Sequence, residues 1–261
     1  MFVASTHDRI LFVTNRGRAY SVNVHEIVSA GKGSKGQSID LLLNMNDSEK
    51  VASYVVLRSK HEADYLLFLT KNGYVKKVDI GEFENIRKTG IIAIGIPEED
   101  QVIDAITTNG EDELIIATSM GNALRIKESA IRAMGRSARG VIGIKLQEGD
   151  EVCGFTKVVE GASMLVVTEN GFGKRIEYKH FSVHGRGTKG QKYFKLTGRT
   201  GKASGILSIS NKESFVIITE RGMMLKIRAK DIPFMGKNAS GVRIVTIKDG
   251  DRIADVARIV E

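Results

Sequence analysis

Five copies of one short pattern, an apolar run closed by Thr-x-x-Gly, constrain this chain more than any other feature. The runs Ile10–Val13, Leu66–Leu69, Leu114–Ala117, Met164–Val167 and Phe215–Ile218 lead to Thr14, Thr70, Thr118, Thr168 and Thr219. Successive threonines stand 56, 48, 50 and 51 residues apart. The closing glycines are Gly17, Gly73, Gly121, Gly171 and Gly222, and a second glycine follows each: Gly36, Gly90, Gly140, Gly190 and Gly241. The runs are short, rich in β-branched residues and bounded by Gly, Asn and Asp, so they predict strands, with the Thr-x-x-Gly step as a tight turn. The second period predicts four strands, Val51–Leu57, Tyr65–Thr70, Tyr74–Val78 and Ile91–Ile96. Units of this length with four strands each are the signature of propeller blades, and the predicted class is all-β.

Five full repeats, roughly 1–50, 51–101, 102–151, 152–202 and 203–252, fill one predicted domain spanning 1–261. Ile253–Val260 predicts a closing strand, with a sixth, incomplete repeat as the alternative. Lys127–Met134 predicts one helical turn, and a β-run is expected over Ile39–Leu43.

Two stretches satisfy G-x-G-x-x-G, Gly31–Gly36 and Gly185–Gly190. A dinucleotide site needs a following helix and an acid about 20 residues on. Here both stretches occupy the same place in a repeat, with a β-run after the first and a basic, aromatic run after the second, so they predict loops. Gln37 and Gln191 stand where a phosphate-binding P-loop requires lysine. The histidines His7, His25, His61, His180 and His184 are scattered, and only the last two have ligand-like spacing, beside a basic loop that repels a cation. Asp47, Glu49, Asp150 and Asp251 read as solvated turn residues. No catalytic constellation emerges; no cofactor, no metal and no enzymatic activity of the chain by itself are expected.

The sequence holds 39 Lys and Arg against 31 Asp and Glu, a net charge of +8, which favours a polyanionic partner. Cys153 is the single cysteine, which removes disulfide and zinc-thiolate frameworks and points to a reducing, cytoplasmic setting. The opening Met1–Asp8 has no signal-peptide pattern, and no apolar run reaches the roughly 18 to 20 residues that span a bilayer, so no membrane partner is expected.

The positive charge is tied to the repeat. Four residues past the first glycine stand Lys77, Arg125, Arg175 and Lys226, with Ser21 the exception. Lys76 and Lys174 lie beside two of them, Arg228 stands two residues past Lys226, and Arg16 and Arg18 flank Gly17. The stretches around the second glycine carry Lys32 and Lys35, Arg87 and Lys88, Arg136 and Arg139, Arg186, Lys189 and Lys192, and Lys237. Equivalent positions of blades form a belt, so these cations are the predicted contacts to phosphates in series. Aromatic residues make up 6% and tryptophan is absent, which disfavours base stacking and favours duplex DNA, bound electrostatically and selected by bendability.

Several stretches resemble the C-terminal domain of the bacterial DNA gyrase A protein, part of a type IIA topoisomerase. They are Ala4–Leu11, Arg16–Ser21, Asn72–Lys77, Glu128–Gly135 and Asn170–Arg175, and the repeat pattern covers essentially the whole chain. The resemblance implies a propeller-like β-pinwheel whose blades exchange strands and wrap DNA around a basic rim. It also implies a role in ATP-dependent negative supercoiling. The implied partners are the ATPase-bearing gyrase B subunit and the rest of the gyrase A subunit. The cleaving tyrosine belongs to another part of gyrase A, so none of the six tyrosines here takes that role. The family's box, Gln-Arg-Arg-Gly-Gly-Lys-Gly, is absent; Gly31–Gly36 and Gly185–Gly190 are its degenerate counterparts in later repeats. That absence implies a missing first blade, and keeps open the alternative of the C-terminal domain from the related topoisomerase IV. A β-propeller interaction scaffold with an incidental basic rim is the other reading.

Overall fold

The computed structural model describes residues 4–31, 33–34, 36–46, 48–58 and 63–259. Strands β1 (Arg9–Thr14) and β2 (Arg18–Asn23) form the first hairpin, followed by helix α1 (Ile39–Leu43) and strand β3 (Val51–Leu57). The second repeat supplies β4 (Tyr65–Thr70), β5 (Tyr74–Asp79), β6 (Ile91–Ile92) and β7 (Val102–Thr108). The third supplies β8 (Glu113–Thr118), β9 (Asn122–Lys127), β10 (Val141–Ile142) and β11 (Val152–Lys157). The fourth has β12 (Ser163–Thr168), β13 (Phe172–Ile176), β14 (Gln191–Lys192) and β15 (Ala203–Ile209). The fifth has β16 (Ser214–Thr219), β17 (Met224–Arg228), β18 (Val242–Arg243) and β19 (Ile253–Ile259).

The predicted turn chemistry is the same in all five hairpins. The glycine amide donates to the threonine carbonyl at 2.9–3.1 Å. The threonine hydroxyl accepts the amide four residues on, in Arg18, Tyr74, Asn122, Phe172 and Met223, at 3.1–3.3 Å. A buried hydroxyl there satisfies a strand-end amide that would otherwise be left unpaired. Gly171 shows why the last position is glycine: its φ is +80°, and an added Cβ would stand 2.3 Å from the Val245 carbonyl oxygen.

The strands group into sheets ordered β3-β1-β2-β6, β10-β5-β4-β7, β11-β8-β9-β14, β15-β12-β13-β18 and β17-β16-β19. Each of the first four sheets is thus a hairpin flanked by the long strand that closes its own repeat and a two-residue strand delivered by the next repeat. This corrects the expectation that Val51–Leu57, Tyr65–Thr70, Tyr74–Val78 and Ile91–Ile96 form one blade. The first and last of these pair with β1 and β2, and only the middle two make their own hairpin. At the exchange Gly90, whose φ is +71°, lies against the Tyr20 ring, next to the pairing of Ile91 with Ala19. The fifth sheet has three strands among the described residues, with β19 in the place that β3, β7, β11 and β15 take in theirs.

Ile39–Leu43 is a short α-helix packed against β2, not the expected strand. A strand must find a neighbour for its backbone groups, whereas one helical turn satisfies part of them within itself. Leu43 is buried and Asn44 ends the turn in the left-handed conformation. The turn expected within Lys127–Met134 is a 3-10 turn at Glu128–Ala130.

The chain divides into two compact units. One comprises Ala4–Gly110 with Ile131–Val141, and its core joins Leu11, Val13, Leu66, Phe68, Phe83 and Ile94. The other comprises Glu111–Ala130 with the residues from Ile142 on, and has cores around Met164, Val166, Tyr193 and Phe194 and around Leu165, Phe215 and Ile217. In β4, β8 and β12 the first strand of the hairpin is buried on both faces, so it reads as a continuous apolar run without alternation.

Candidate nucleic-acid interface

The acids past the fourth strand are structural. Asp100 Oδ1 accepts the amides of Asn72 and Gln101, Asp150 those of Met120 and Glu151, and Asp251 those of Arg221 and Arg252. Glu49 is buried and accepts the Tyr20 hydroxyl at 3.1 Å. The reading of Glu49, Asp150 and Asp251 as solvated residues is therefore corrected: they are bonded into the hairpins. Asp47 lies outside the described residues.

The predicted cations separate into three groups: buried, held by other groups of the chain, and exposed. Lys76, Lys77, Lys174 and Arg175 are buried, at 0%, 6%, 0% and 4% exposure, which removes them as direct phosphate contacts. Lys76 Nζ donates to the carbonyls of Ala93, at 2.9 Å, and Arg136. Lys174 Nζ donates to Gly236, Lys237 and Ala239 carbonyls at 2.7, 3.0 and 2.8 Å. Arg175 Nε donates to the Ile232 carbonyl at 2.8 Å and Nη1 to Asn211 Oδ1. Lys77 lies over the Tyr65 ring. Burial lowers the pKa of Arg175 and pushes Lys174 down to about 8; Lys76 reaches about 8 through burial first and then the nearby Arg136.

Arg125, Arg16 and Arg18 are half-buried and held by the protein. Arg125 pairs with Glu113 and donates to the Tyr178 and Phe181 carbonyls. Arg16 reaches the Glu98 and Asp100 carbonyls, and Arg18 that of Thr89. Arg136 is ion-paired with Glu82 and Arg228 with Asp231. Lys237 donates to Gln191 Oε1 at 2.6 Å. Lys32, Lys35 and His61 lie outside the described residues.

The exposed predicted cations sit in the loops leading to the second glycine and just past it, apart from Lys226 and Arg228 on β17. Arg87 and Lys88 project there in the first unit, with Arg139 stacked on the Tyr74 ring, 4.0 Å from its centroid. In the second unit Arg186, Lys189 and Lys192 are exposed, as is Lys226 on β17. Reasoning from repeats missed Arg132, Lys145, Lys195, Arg199 and Arg243, all exposed. Arg199 and Arg243 both face the Phe172 ring, at 5.0 and 4.7 Å.

Gly185–Gly190 runs directly into strand β14, as a loop does and a dinucleotide motif does not. Among the described residues no helix is long and apolar enough to cross a membrane.

The family model described as DNA gyrase C-terminal domain, beta-propeller, matches residues 8–56, 64–109, 112–157, 162–210 and 213–259. The chain belongs to this family. Each matched segment runs from a hairpin through the long strand that closes the same repeat, so the matches follow the sequence repeats. The DNA gyrase A protein of Staphylococcus epidermidis is 36% identical over 261 residues, and that of Staphylococcus aureus 35% over 260. Each alignment covers 98% of this chain but 29% of the relative, so the chain spans less than a third of their length. A solved DNA gyrase A C-terminal domain superposes with a TM-score of 0.86 at 27% identity, covering 98% of this chain and 84% of that one. The C-terminal domain of a DNA topoisomerase IV gives 0.87 at 26%, covering 97% and 80%.

Proposed function

We propose that this chain is a non-catalytic DNA-binding and DNA-wrapping segment of a gyrase A protein, its five sheets acting as one binding domain. The observation that carries the reading is the recurrence of exposed cations in equivalent loops: Arg87 and Lys88, then Arg139, then Arg186 and Lys189. Cations repeated at equivalent loop positions suit contacts to a phosphate backbone, while scattered surface charge lacks that regularity. Bending about 30 bp through a right angle costs several kcal/mol, up to roughly 10 with stiff sequence. Some eight to ten phosphate contacts offset this and give a salt slope of about −7 to −9. The gyrase A relatives, of which this chain covers 29%, support a larger protein containing this segment, and the proposal adds a gyrase B ATPase as partner in ATP-dependent supercoiling and a cytoplasmic location.

The test is the linking-number change left when a nicked DNA circle is ligated with the chain bound. A positive shift proportional to bound protein supports chiral wrapping. Tight, salt-sensitive binding without a shift favours the topoisomerase IV reading, in which the chain holds or bends DNA. A salt-independent affinity removes the phosphate-contacting, wrapping mode of binding.

A further inference from the structure

Two lysines at the same repeat position are buried, and their ammonium groups are bonded to backbone carbonyls. Lys76 and Lys174 each stand three residues past the hairpin glycine, on β5 and β13. The carbonyls come in part from the following repeat, that of Arg136 for the first lysine and those of Gly236, Lys237 and Ala239 for the second. The Phe194 ring lies 4.8 Å from Lys174 Nζ.

Stability alone does not explain these residues. A buried cation loses hydration worth several kcal/mol, and carbonyl dipoles return only part of it. The corresponding positions of the third and fifth repeats hold Leu124 and Leu225, so the hairpin itself forms with an apolar residue there. What the lysine adds is convergence. Three carbonyls within 3.0 Å of one nitrogen fix the path of the backbone at 236–239. That backbone carries Lys237, whose ammonium reaches Gln191 beside the exposed Lys192. In the other unit Lys76 fixes the backbone at Arg136, three residues before the exposed Arg139.

We propose that Lys76 and its counterpart Lys174 are positioning residues for DNA: each clamps the basic loop of the next repeat in the conformation that meets a phosphate, without touching DNA itself. This rests on the DNA-binding reading above and adds to it a cause for the order of the loops. The clamp also needs the charged form in full at Lys174, because three acceptors require the three N–H groups of an ammonium.

The test is the Lys174→Leu variant, which copies the third and fifth repeats. It is expected to fold with unchanged or higher thermal stability. Amide exchange at residues 235–241 of the free protein should rise about tenfold, equivalent to about 1.4 kcal/mol of easier local opening. Duplex affinity should fall about threefold or more across 50 to 200 mM salt, with the salt slope smaller in magnitude by about one. Lys174→Arg, which keeps the charge, should recover part of the slope. Unchanged loop exchange, or a loosened loop with unchanged affinity and slope, overturns the proposal. If the unsubstituted chain binds no DNA, the DNA reading fails, and the exchange measurement still decides whether the lysine clamps the loop.

Discussion

The guanidinium of Arg175 stacks on the ring of Phe234, 4.1 Å from its centroid, while the ring itself stays 49% exposed. The same guanidinium donates to the Ile232 carbonyl and to Asn211, so strand β13 is tied to the chain leading into the basic loop of the next repeat. Arg175→Ala should therefore lower stability by about 2–4 kcal/mol, since it strands a buried carbonyl and removes a stacked cation. Urea unfolding reads this directly. A variant of unchanged stability whose salt slope fell by one would return Arg175 to the set of phosphate contacts.

The exposed loop cations should behave in the opposite way. The double variant Lys189→Ala/Lys192→Ala should leave stability within about 0.5 kcal/mol per site and reduce the salt slope by about two. Titrating duplex DNA by fluorescence anisotropy at four salt concentrations separates this from a loss of folding. An unchanged slope would place the DNA on another face.

Two glycines with similar backbone conformations should differ in their tolerance of alanine. Gly190 has φ +69°, and a Cβ there would stand 2.4 Å from the Ala123 carbonyl oxygen, where β14 joins β9. Gly222 has φ +81° but open space around it. Gly222→Ala should cost about 1–2 kcal/mol from backbone strain alone, and Gly190→Ala clearly more, because the exchanged strand must move. Thermal denaturation of the two variants side by side checks the order; equal losses would mean that the contact relaxes freely.

The buried lysines give a pH signature with a definite sign. Lys76, with Arg136 and Glu82 facing it, and Lys174 titrate near 8 in the folded chain, against 10.5 when exposed. Between those values the unfolded chain holds protons that the folded chain has released, so this contribution to stability rises with pH and is constant below the window. The urea midpoint of the unsubstituted chain should gain on that of the Lys76→Leu/Lys174→Leu variant as pH rises from about 7.5 to about 9.5. A gap that stays fixed across the range would show that neither lysine titrates there.

Cys153 should resist thiol reagents. Its sulfur lies 3.5 Å from the Ala117 carbonyl and 3.7 Å from the Tyr193 hydroxyl, and burial pushes the thiol up to about 12. Reaction with a chromogenic disulfide at mildly alkaline pH should appear only after unfolding, and prompt labelling of the native chain would contradict the geometry.

The hairpins were legible because their signal is local: the run, the threonine and the glycine lie close together in sequence. Strand exchange was not. Ile91–Ile92 and Gln191–Lys192 are too short to carry a period, and they pair with Arg18–Ala19 and Asn122–Ala123, more than a full repeat earlier in sequence. The candidate site was half legible. Fixed repeat positions do mark the basic loops, but the same filter swept in the buried cations. Adjacent pairs, Lys76 with Lys77 and Lys174 with Arg175, held the warning. Successive strand residues point to opposite faces, so two neighbouring cations cannot share one exposed face. Arg243 holds the position of Lys192, two residues past the second glycine, and was overlooked, while Arg199 escaped because no other repeat has a cation there, and the two meet only at Phe172.

Lending a strand to the previous hairpin has a consequence for how such a chain changes in length. Excising the segment from β8 through β11 would take away the third hairpin and also β10, which completes the sheet of β4 and β5. The surviving neighbours stay matched only if the cut spans one whole period, so that β14 arrives where β10 had been. Loss or gain of material is thus permitted in multiples of the repeat and penalised at every other size, much as a zip accepts the removal of entire teeth but jams on a fraction of one.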